Sequence, residues 1–198
     1  FLIQEKDNTD EYVNSAWVVS IARGCLIALL IVITAPFIVS FFSTPNAVFL
    51  LYLVALVAFI RGFINPAEIK FQKNLLFSKE FSYKSFLFFI DTIVAVSLAL
   101  ITKNESSLVL GMVVSAFIEV IISLVIFNPK PKLLFEIEKV KKVINRGKWI
   151  TGAGALNYAF RNLDNVVVGK LLGTYPLGLY QQAYAFSTIP VSEIGEIF

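Results

Sequence analysis

The chain has 198 residues, of which 57% are hydrophobic and only 16% charged, with no His, one Cys and a formal net charge of +3. Soluble domains sit at about 45–50% apolar and about 25% charged, so a mean hydropathy of +0.77 excludes an ordinary soluble domain and a disordered chain alike. The missing His and the single Cys exclude His-based catalysis, the usual zinc sites and an internal disulfide.

The first apolar run, Trp17 to Phe42, predicts a membrane-spanning helix. Its driest part begins at Gly24, which leaves Arg23 as an edge charge snorkelling to the headgroups. A second span is predicted over Ala47 to Phe63, closed by Asn65-Pro66. A third runs from Tyr83 to Thr102, and a fourth from Leu108 to Phe127, stopped by Asn128-Pro129. The stretch 128–148 is basic. Pro129-Lys130-Pro131-Lys132 breaks the helix, then Leu133, Ile137, Val140 and Ile144 recur at helical spacing, with Lys139, Lys141, Lys142 and Arg146 on the remaining faces. Glu138 is placed to pair with Lys142 at i,i+4. This pattern predicts an interfacial helix on an anionic leaflet, with a solvated basic loop as the alternative. The fifth span is predicted over Trp149 to Leu172, and a sixth starts near Leu177.

The runs are continuous rather than alternating, so the fold class expected is all-α, a polytopic membrane helix bundle with five complete spans and part of a sixth, and not a β-barrel. Residues 1–127 then form one group of four spans, 128–148 a linker, and 149–198 the start of a second group. The chain opens on Phe1, has its only Met at Met112 and stops at Phe198 within an apolar stretch, which reads as an internal fragment; the alternative is a mature protein with its signal removed.

Charge sets the expected orientation. Lys6, the connection with Arg61, Lys70, Lys73, Lys79 and Lys84, and the connection from Lys130 to Lys148 place thirteen basic residues on one side, against Lys103 and Lys170 on the other. The positive-inside rule puts the start of the chain in the cytoplasm. Trp17 and Trp149 fall at cytoplasmic ends, as belt residues do. The basic residues lie in loops between apolar runs, so no nucleic-acid partner is expected.

Ionisable groups at membrane depth are the candidate site residues, because each costs roughly 2.5–3.5 kcal/mol at the centre of an inserted helix and needs a partner or a wet cavity. Arg161 and Asp164 lie mid-way along the fifth span, three residues apart, hence on one helical face, with Asn157 one turn back and Asn162 and Asn165 flanking. They either line a cavity or form a structural intramembrane ion pair. Asp91 and Glu119 are single carboxylates in the third and fourth spans. Glu119 shares a face with Ser115 and Ser123, whereas the neighbours of Asp91 within one turn are apolar, so its partner must come from another helix or from water. Both are candidate proton or cation sites, or helix–helix hydrogen-bond contacts. Pro36, Pro176 and Pro190 are candidate kinks. Asn104-Glu105-Ser106 matches a glycosylation sequon, a pattern short enough to arise by chance. No phosphate-cradling Gly-Lys-Ser/Thr loop is present, and the outer connections are too short for a soluble catalytic domain. The reading is a non-enzyme, with no catalytic residue, metal site or cofactor.

Several stretches resemble Wzx-type polysaccharide flippases. Phe1-Leu2-Ile3-Gln4-Glu5-Lys6-Asp7, Thr9-Asp10-Glu11 and Asn14-Ser15-Ala16-Trp17 resemble the segment before that family's third helix. Ala35-Pro36-Phe37-Ile38 with Phe41-Phe42 and Pro45 fits the end of that helix, and Arg61-Gly62-Phe63 with Pro66 fits the next hairpin. Leu163-Asp164-Asn165, Val168-Gly169, Leu172-Gly173, Leu177-Gly178, Tyr180, Ala183-Tyr184 and Pro190 look like the seventh and eighth helices. The subgroup suggested is the colanic-acid and teichuronic-acid exporter type, within the superfamily that also holds the MATE pumps. The resemblance implies a two-lobe transporter in the bacterial cytoplasmic membrane, turning an undecaprenyl-pyrophosphate-linked oligosaccharide by alternating access, with polysaccharide polymerase or export machinery as partners. It implies Arg161, Asn157 and Asp164 in the substrate cavity, Arg161 suiting the pyrophosphate, and Asp164, Asp91 and Glu119 as candidates for a coupling proton or sodium ion. The rival readings are a MATE-like small-molecule antiporter, whose cavity should be acidic, and a non-transporting membrane scaffold.

Overall fold

The computed structural model describes residues 10–104, 106–134 and 136–195, and in them all side chains except those of residues 10, 11, 139, 142, 146, 150 and 189–195. Every regular element described is helical: α1 (Asp10–Phe42), α2 (Val48–Arg61), α3 (Lys70–Lys73), α4 (Phe77–Thr102), α5 (Ser106–Ile126), α6 (Ile137–Arg161), α7 (Leu163–Leu172) and α8 (Thr174–Gly195), with 3-10 turns at Pro45–Ala47 and Pro66–Ile69. The N-terminal segment that opens the family resemblance lies largely outside the described residues, as do Glu105 of the sequon and the Lys142 side chain proposed to pair with Glu138.

The first four long helices pack as a row. α1 lies on α2, α2 on α5, and α5 on α4. Two tight reversals make this possible. Ser43 takes φ 57° after α1, and the Thr44 N–H donates to Val39 O at 2.9 Å. Lys103, at φ 48°, ends α4, and its N–H donates to Ala99 O. Small residues set the helix spacing. A Cβ on Gly24 would sit 3.0 Å from both Ala58 O and Gly62 Cα, so α1 and α2 touch backbone to backbone there. A Cβ on Gly111 would sit 2.8 Å from Ala95 Cα, which fixes the register of the α4–α5 hairpin. Val57, Ile60, Val113 and Ala116 fill the α2–α5 contact. At one end of the row Phe71, Tyr83 and Phe127 meet edge to face, with Phe127 5.0 Å from Phe71 and 5.2 Å from Tyr83.

Among the described residues three helices are long and apolar enough to cross a membrane: Tyr12–Phe42, Phe77–Thr102 and Ser106–Ile126. A fourth is counted if Pro45–Arg61 and Pro66–Lys73, bent by 70° at the break between them, form one span. Their outer faces expose Leu29, Phe37, Phe88, Leu100, Ile121 and Val125, surface that suits lipid rather than water. The chain is an all-helical membrane protein.

The second half departs from the expected boundaries. Leu133 precedes the helix rather than joining it, and α6 runs without interruption through 148–149, where the fifth span was expected to begin. The basic residues from Lys139 to Lys148 therefore share one helix with Trp149 to Arg161, and the helix stops at Asn162. α7 has only 10 residues. Neither α6 nor α7 alone is a candidate span, so length and composition support three or four spans among the described residues rather than five and a part. Pro36 lies inside α1, whereas Pro176 sits in the first turn of α8, where a missing N–H costs nothing.

Candidate functional site

A cavity of about 780 Å³ opens between α1, the end of α2, the Pro66–Ile69 turn and the first half of α6. Its polar lining is Ser20 and Arg23 from α1, Arg61 from α2, Glu68 from the turn, and Lys148 and Thr151 from α6. Three cations thus stand against one carboxylate in a wall otherwise made of residues such as Val19, Ile64 and Val143. Helical phase puts Ala16, Val19, Ser20 and Arg23 on one stripe of α1, and Val143, Ile144, Gly147, Lys148 and Thr151 on one stripe of α6. Trp17, one position off that stripe, donates from Nε1 to Phe63 O at 2.9 Å and holds α1 against the end of α2. Gly62 follows Arg61 and packs on Gly24, so the α1–α2 crossing brings Arg23 and Arg61 to the same cavity.

Arg61 is not a free edge charge. Its Nε donates to Glu119 Oε2 of α5 at 3.1 Å, with the Arg61 side chain 47% and the Glu119 side chain 22% exposed. Glu68 lies within electrostatic reach of Glu119, and also of Lys84 and Glu80 on α4. Lys84 is itself paired with Glu80. The Tyr83 hydroxyl is buried without a hydrogen-bond partner and lies in the field of Glu68 and Glu119.

Behind this cluster Asn65 joins two chain reversals. It is fully buried. Its Nδ2 donates to Phe127 O at 3.2 Å and Pro129 O at 3.3 Å, and its Oδ1 accepts from the Ala67 N–H at 3.0 Å, capping the Pro66–Ile69 turn. Its own N–H donates to Ser123 Oγ at 3.1 Å. The end of α2 is thereby locked to the end of α5, which places Arg61 opposite Glu119.

The other expected site residues are dispersed. Asp91 keeps one oxygen, Oδ1, buried with no hydrogen-bond partner. The contact of Ala95 with Gly111 puts Asp91 one turn away, level with Ser115 in the antiparallel hairpin. Asn157 and Arg161 are exposed on α6. The helix break at Asn162 separates Arg161 from Asp164, so the single face inferred from their spacing is not formed. Asp164 instead accepts from the Tyr180 hydroxyl of α8 at 2.6 Å and from the Asn165 N–H at 2.8 Å. Asn162 secures the break, with Nδ2 donating to Tyr158 O at 2.9 Å and Oδ1 accepting from Asn165 Nδ2 at 3.0 Å. Further along, Lys170 of α7 donates to Phe41 O at 2.5 Å at the end of α1.

The profile of a family described as "Polysaccharide biosynthesis protein" matches residues 1–198. The chain belongs to that family. It is similar to the "Teichuronic acid biosynthesis protein TuaB" of Bacillus subtilis (strain 168), with 24% identity over 210 residues, 99% of this chain and 41% of the relative. It is also similar to an "Uncharacterized membrane protein in cps region" of Klebsiella pneumoniae, with 26% identity over 200 residues, again 99% of this chain and 41% of the relative. The chain thus spans about two fifths of the length of the curated relatives it matches. No solved structure matches.

Reading along the sequence found Glu119 but not its partner, and missed Glu68 and Asn65 as site-building residues. Arg61 and Glu119 are 58 positions apart, and no periodicity links them. One usable signal was present: Arg61 lies at the end of the second apolar run and Glu119 in the second half of the fourth, and both runs end on the same expected membrane side.

Proposed function

We propose that this chain forms part of a carrier that turns a lipid-linked oligosaccharide, joined to its polyprenyl tail through a pyrophosphate, across the bacterial cytoplasmic membrane. The observation that carries this reading is the cavity shared by Arg23, Arg61 and Lys148 within an apolar bundle. A bare sugar–pyrophosphate headgroup does not cross hydrocarbon, and Arg binds phosphate oxygens through a fork of N–H donors. Family membership and a relative named for teichuronic acid biosynthesis support the polysaccharide context.

In this proposal the chain contributes five spans and part of a sixth. Residues 1–127 belong to one lobe and 149–198 to the next, with the basic stretch 128–148 and the start of the chain in the cytoplasm. The part of α6 from Trp149 onward and α7 together form the fifth span, broken at Asn162, as discontinuous helices of carriers are. Arg161, Asn157 and Asp164 line the substrate path where the lobes meet, and a proton or sodium ion drives the cycle through Asp164, Asp91 or Glu119. A small-molecule antiporter for cations would need an acidic cavity, and the lining has a single carboxylate, Glu68, against three cations.

The test deletes the gene in its host, labels lipid-linked oligosaccharide and asks which leaflet holds it, using a membrane-impermeant glycosidase on spheroplasts. The expected result is accumulation in the protected leaflet, reversed by the wild-type gene and not by Arg61→Gln or Arg161→Ala copies. Normal surface exposure of the labelled sugar, in a host without a redundant carrier, rejects the reading.

A further inference from the structure

We propose that Arg61 is an exchangeable anion ligand: Glu119 holds it while the cavity is empty, and an entering phosphate-bearing group takes it over as the Glu68–Glu119 pair takes up one proton. This rests on the reading of the cavity as a phosphate-binding site given above.

The geometry supplies each part. Arg61 both lines the cavity and uses its Nε for Glu119 behind it. A guanidinium has five N–H donors, so the others stay available on the cavity side. One arginine is thereby shared between a carboxylate in α5 and whatever enters between α1 and α6. Glu68, on the same wall, brings a second carboxylate into the field of the first.

When Arg61 turns to a phosphate, Glu119 loses its cation. Glu68 lies within its electrostatic reach, and a proton taken up from the aqueous side relieves the repulsion between the two carboxylates. The other charges facing the pair do not substitute for Arg61. On α4, Lys84 is engaged by Glu80, which adds a further negative charge. On α1 and α6, Arg23 and Lys148 line the cavity itself and are drawn to the same anion. Tyr83 of α4 is a further donor within electrostatic reach of both carboxylates, its hydroxyl buried and unpartnered. Arg61 stays protonated throughout; the proton offsets one negative charge of the incoming group, and Arg23 and Lys148 on the cavity wall face the remainder.

The experiment is titration calorimetry on the protein purified in detergent, with inorganic pyrophosphate and, separately, a short-chain prenyl pyrophosphate. Each titration is run at neutral pH in two buffers of different ionisation enthalpy. The expected result is saturable binding by the wild type with a buffer-dependent enthalpy that reports proton uptake. Glu119→Gln is expected to bind about tenfold tighter, because Arg61 is already released. The Glu68→Gln/Glu119→Gln double variant is expected to lose the extra proton uptake, which separates the pair from protonation of the probe itself. Arg61→Gln is expected to bind at least about tenfold more weakly, and Arg61→Lys, which keeps the charge and loses the fork, to fall between. Tighter binding of the prenyl probe assigns the anion to a lipid headgroup, and equal binding assigns it to the free anion; both accord with exchange. Absent binding, unchanged affinity in both Arg61 variants, or equal proton uptake in wild type and double variant overturns it. A positive leaflet assay with no proton linkage removes this exchange alone. Proton-linked binding with a negative leaflet assay removes the oligosaccharide cargo and leaves the exchange standing.

Discussion

Arg61 and Glu119 meet at 3.1 Å between helices, α2 and α5, that are separated in sequence by α3 and α4. The pair sits at the junction of the α2–α5 contact and the cavity, so it has both a structural and a ligand-facing side. The structural share is modest because Arg61 is 47% exposed. Exchanging the two charges, Arg61→Glu with Glu119→Arg, is expected to restore the unfolding midpoint lost by about 1 kcal/mol in each single variant. The measurement is SDS-titrated unfolding in detergent. Equal loss in the double and in the sum of the singles would mean that the contact contributes nothing.

Asn65 is expected to matter more. Its side chain satisfies the Phe127 and Pro129 carbonyls and the Ala67 N–H in a site without exposure. Asn65→Ala leaves all three groups unmatched, the Phe127 carbonyl and the Ala67 N–H in buried positions, for a loss of about 3 kcal/mol. Asn65→Asp keeps the acceptor for Ala67 and loses both donors, so its unfolding midpoint should lie between. A midpoint for Asn65→Ala equal to wild type would show that water replaces the side chain.

These two residues also mark what a linear reading reaches. The apolar runs placed the C-terminal ends of α1, α4 and α5 to within a residue, since a continuous run long enough to span leaves the backbone no alternative to helix; the more polar starts of α1 and α4, seven and six residues, lie outside those runs. Asn65-Pro66 was legible as a stop, because Pro forbids the continuation. What Asn65 bonds to was not, since Ser123, Phe127 and Pro129 lie 58, 62 and 64 positions away. The boundary at 148–149 was placed by composition, and helix geometry does not respect a change in composition: α6 propagates through it because each further turn adds a hydrogen bond with no new nucleation. Arg161 and Asp164 illustrate the converse error. Their spacing of three residues implies a shared face only in an unbroken helix, and Asn162 ends it between them.

The α1–α2 crossing yields a steric prediction. A Cβ on Gly24 meets Ala58 O and Gly62 Cα at 3.0 Å, both backbone atoms that cannot step aside. Gly24→Ala is expected to cost about 1–3 kcal/mol, and Gly24→Val more. Gly154 in α6 has nothing within 4 Å of its virtual Cβ, so Gly154→Ala is expected to be neutral or to stabilise by up to about 1 kcal/mol through helix propensity. Thermal unfolding of the variants side by side checks the contrast. Equal destabilisation at both positions would place an unseen surface against α6.

The break at Asn162 makes a prediction that separates two roles in transport. Tyr180 and Asp164 share one hydrogen bond of 2.6 Å, so Tyr180→Phe and Asp164→Asn weaken the same link between α7 and α8. Their double variant is expected to lose no more leaflet transfer than the worse single. Arg161 lies on the other side of the break, with no ion pair to Asp164 among the described residues. Arg161→Ala combined with Asp164→Asn is therefore expected to give multiplicative losses, the signature of independent sites. An Asp164→Asn protein with full transfer removes Asp164 from coupling and leaves it a helix-joining residue. Strong non-additivity between Arg161 and Asp164 would instead mean that the transport cycle brings the two helices back into line and forms the ion pair in another state.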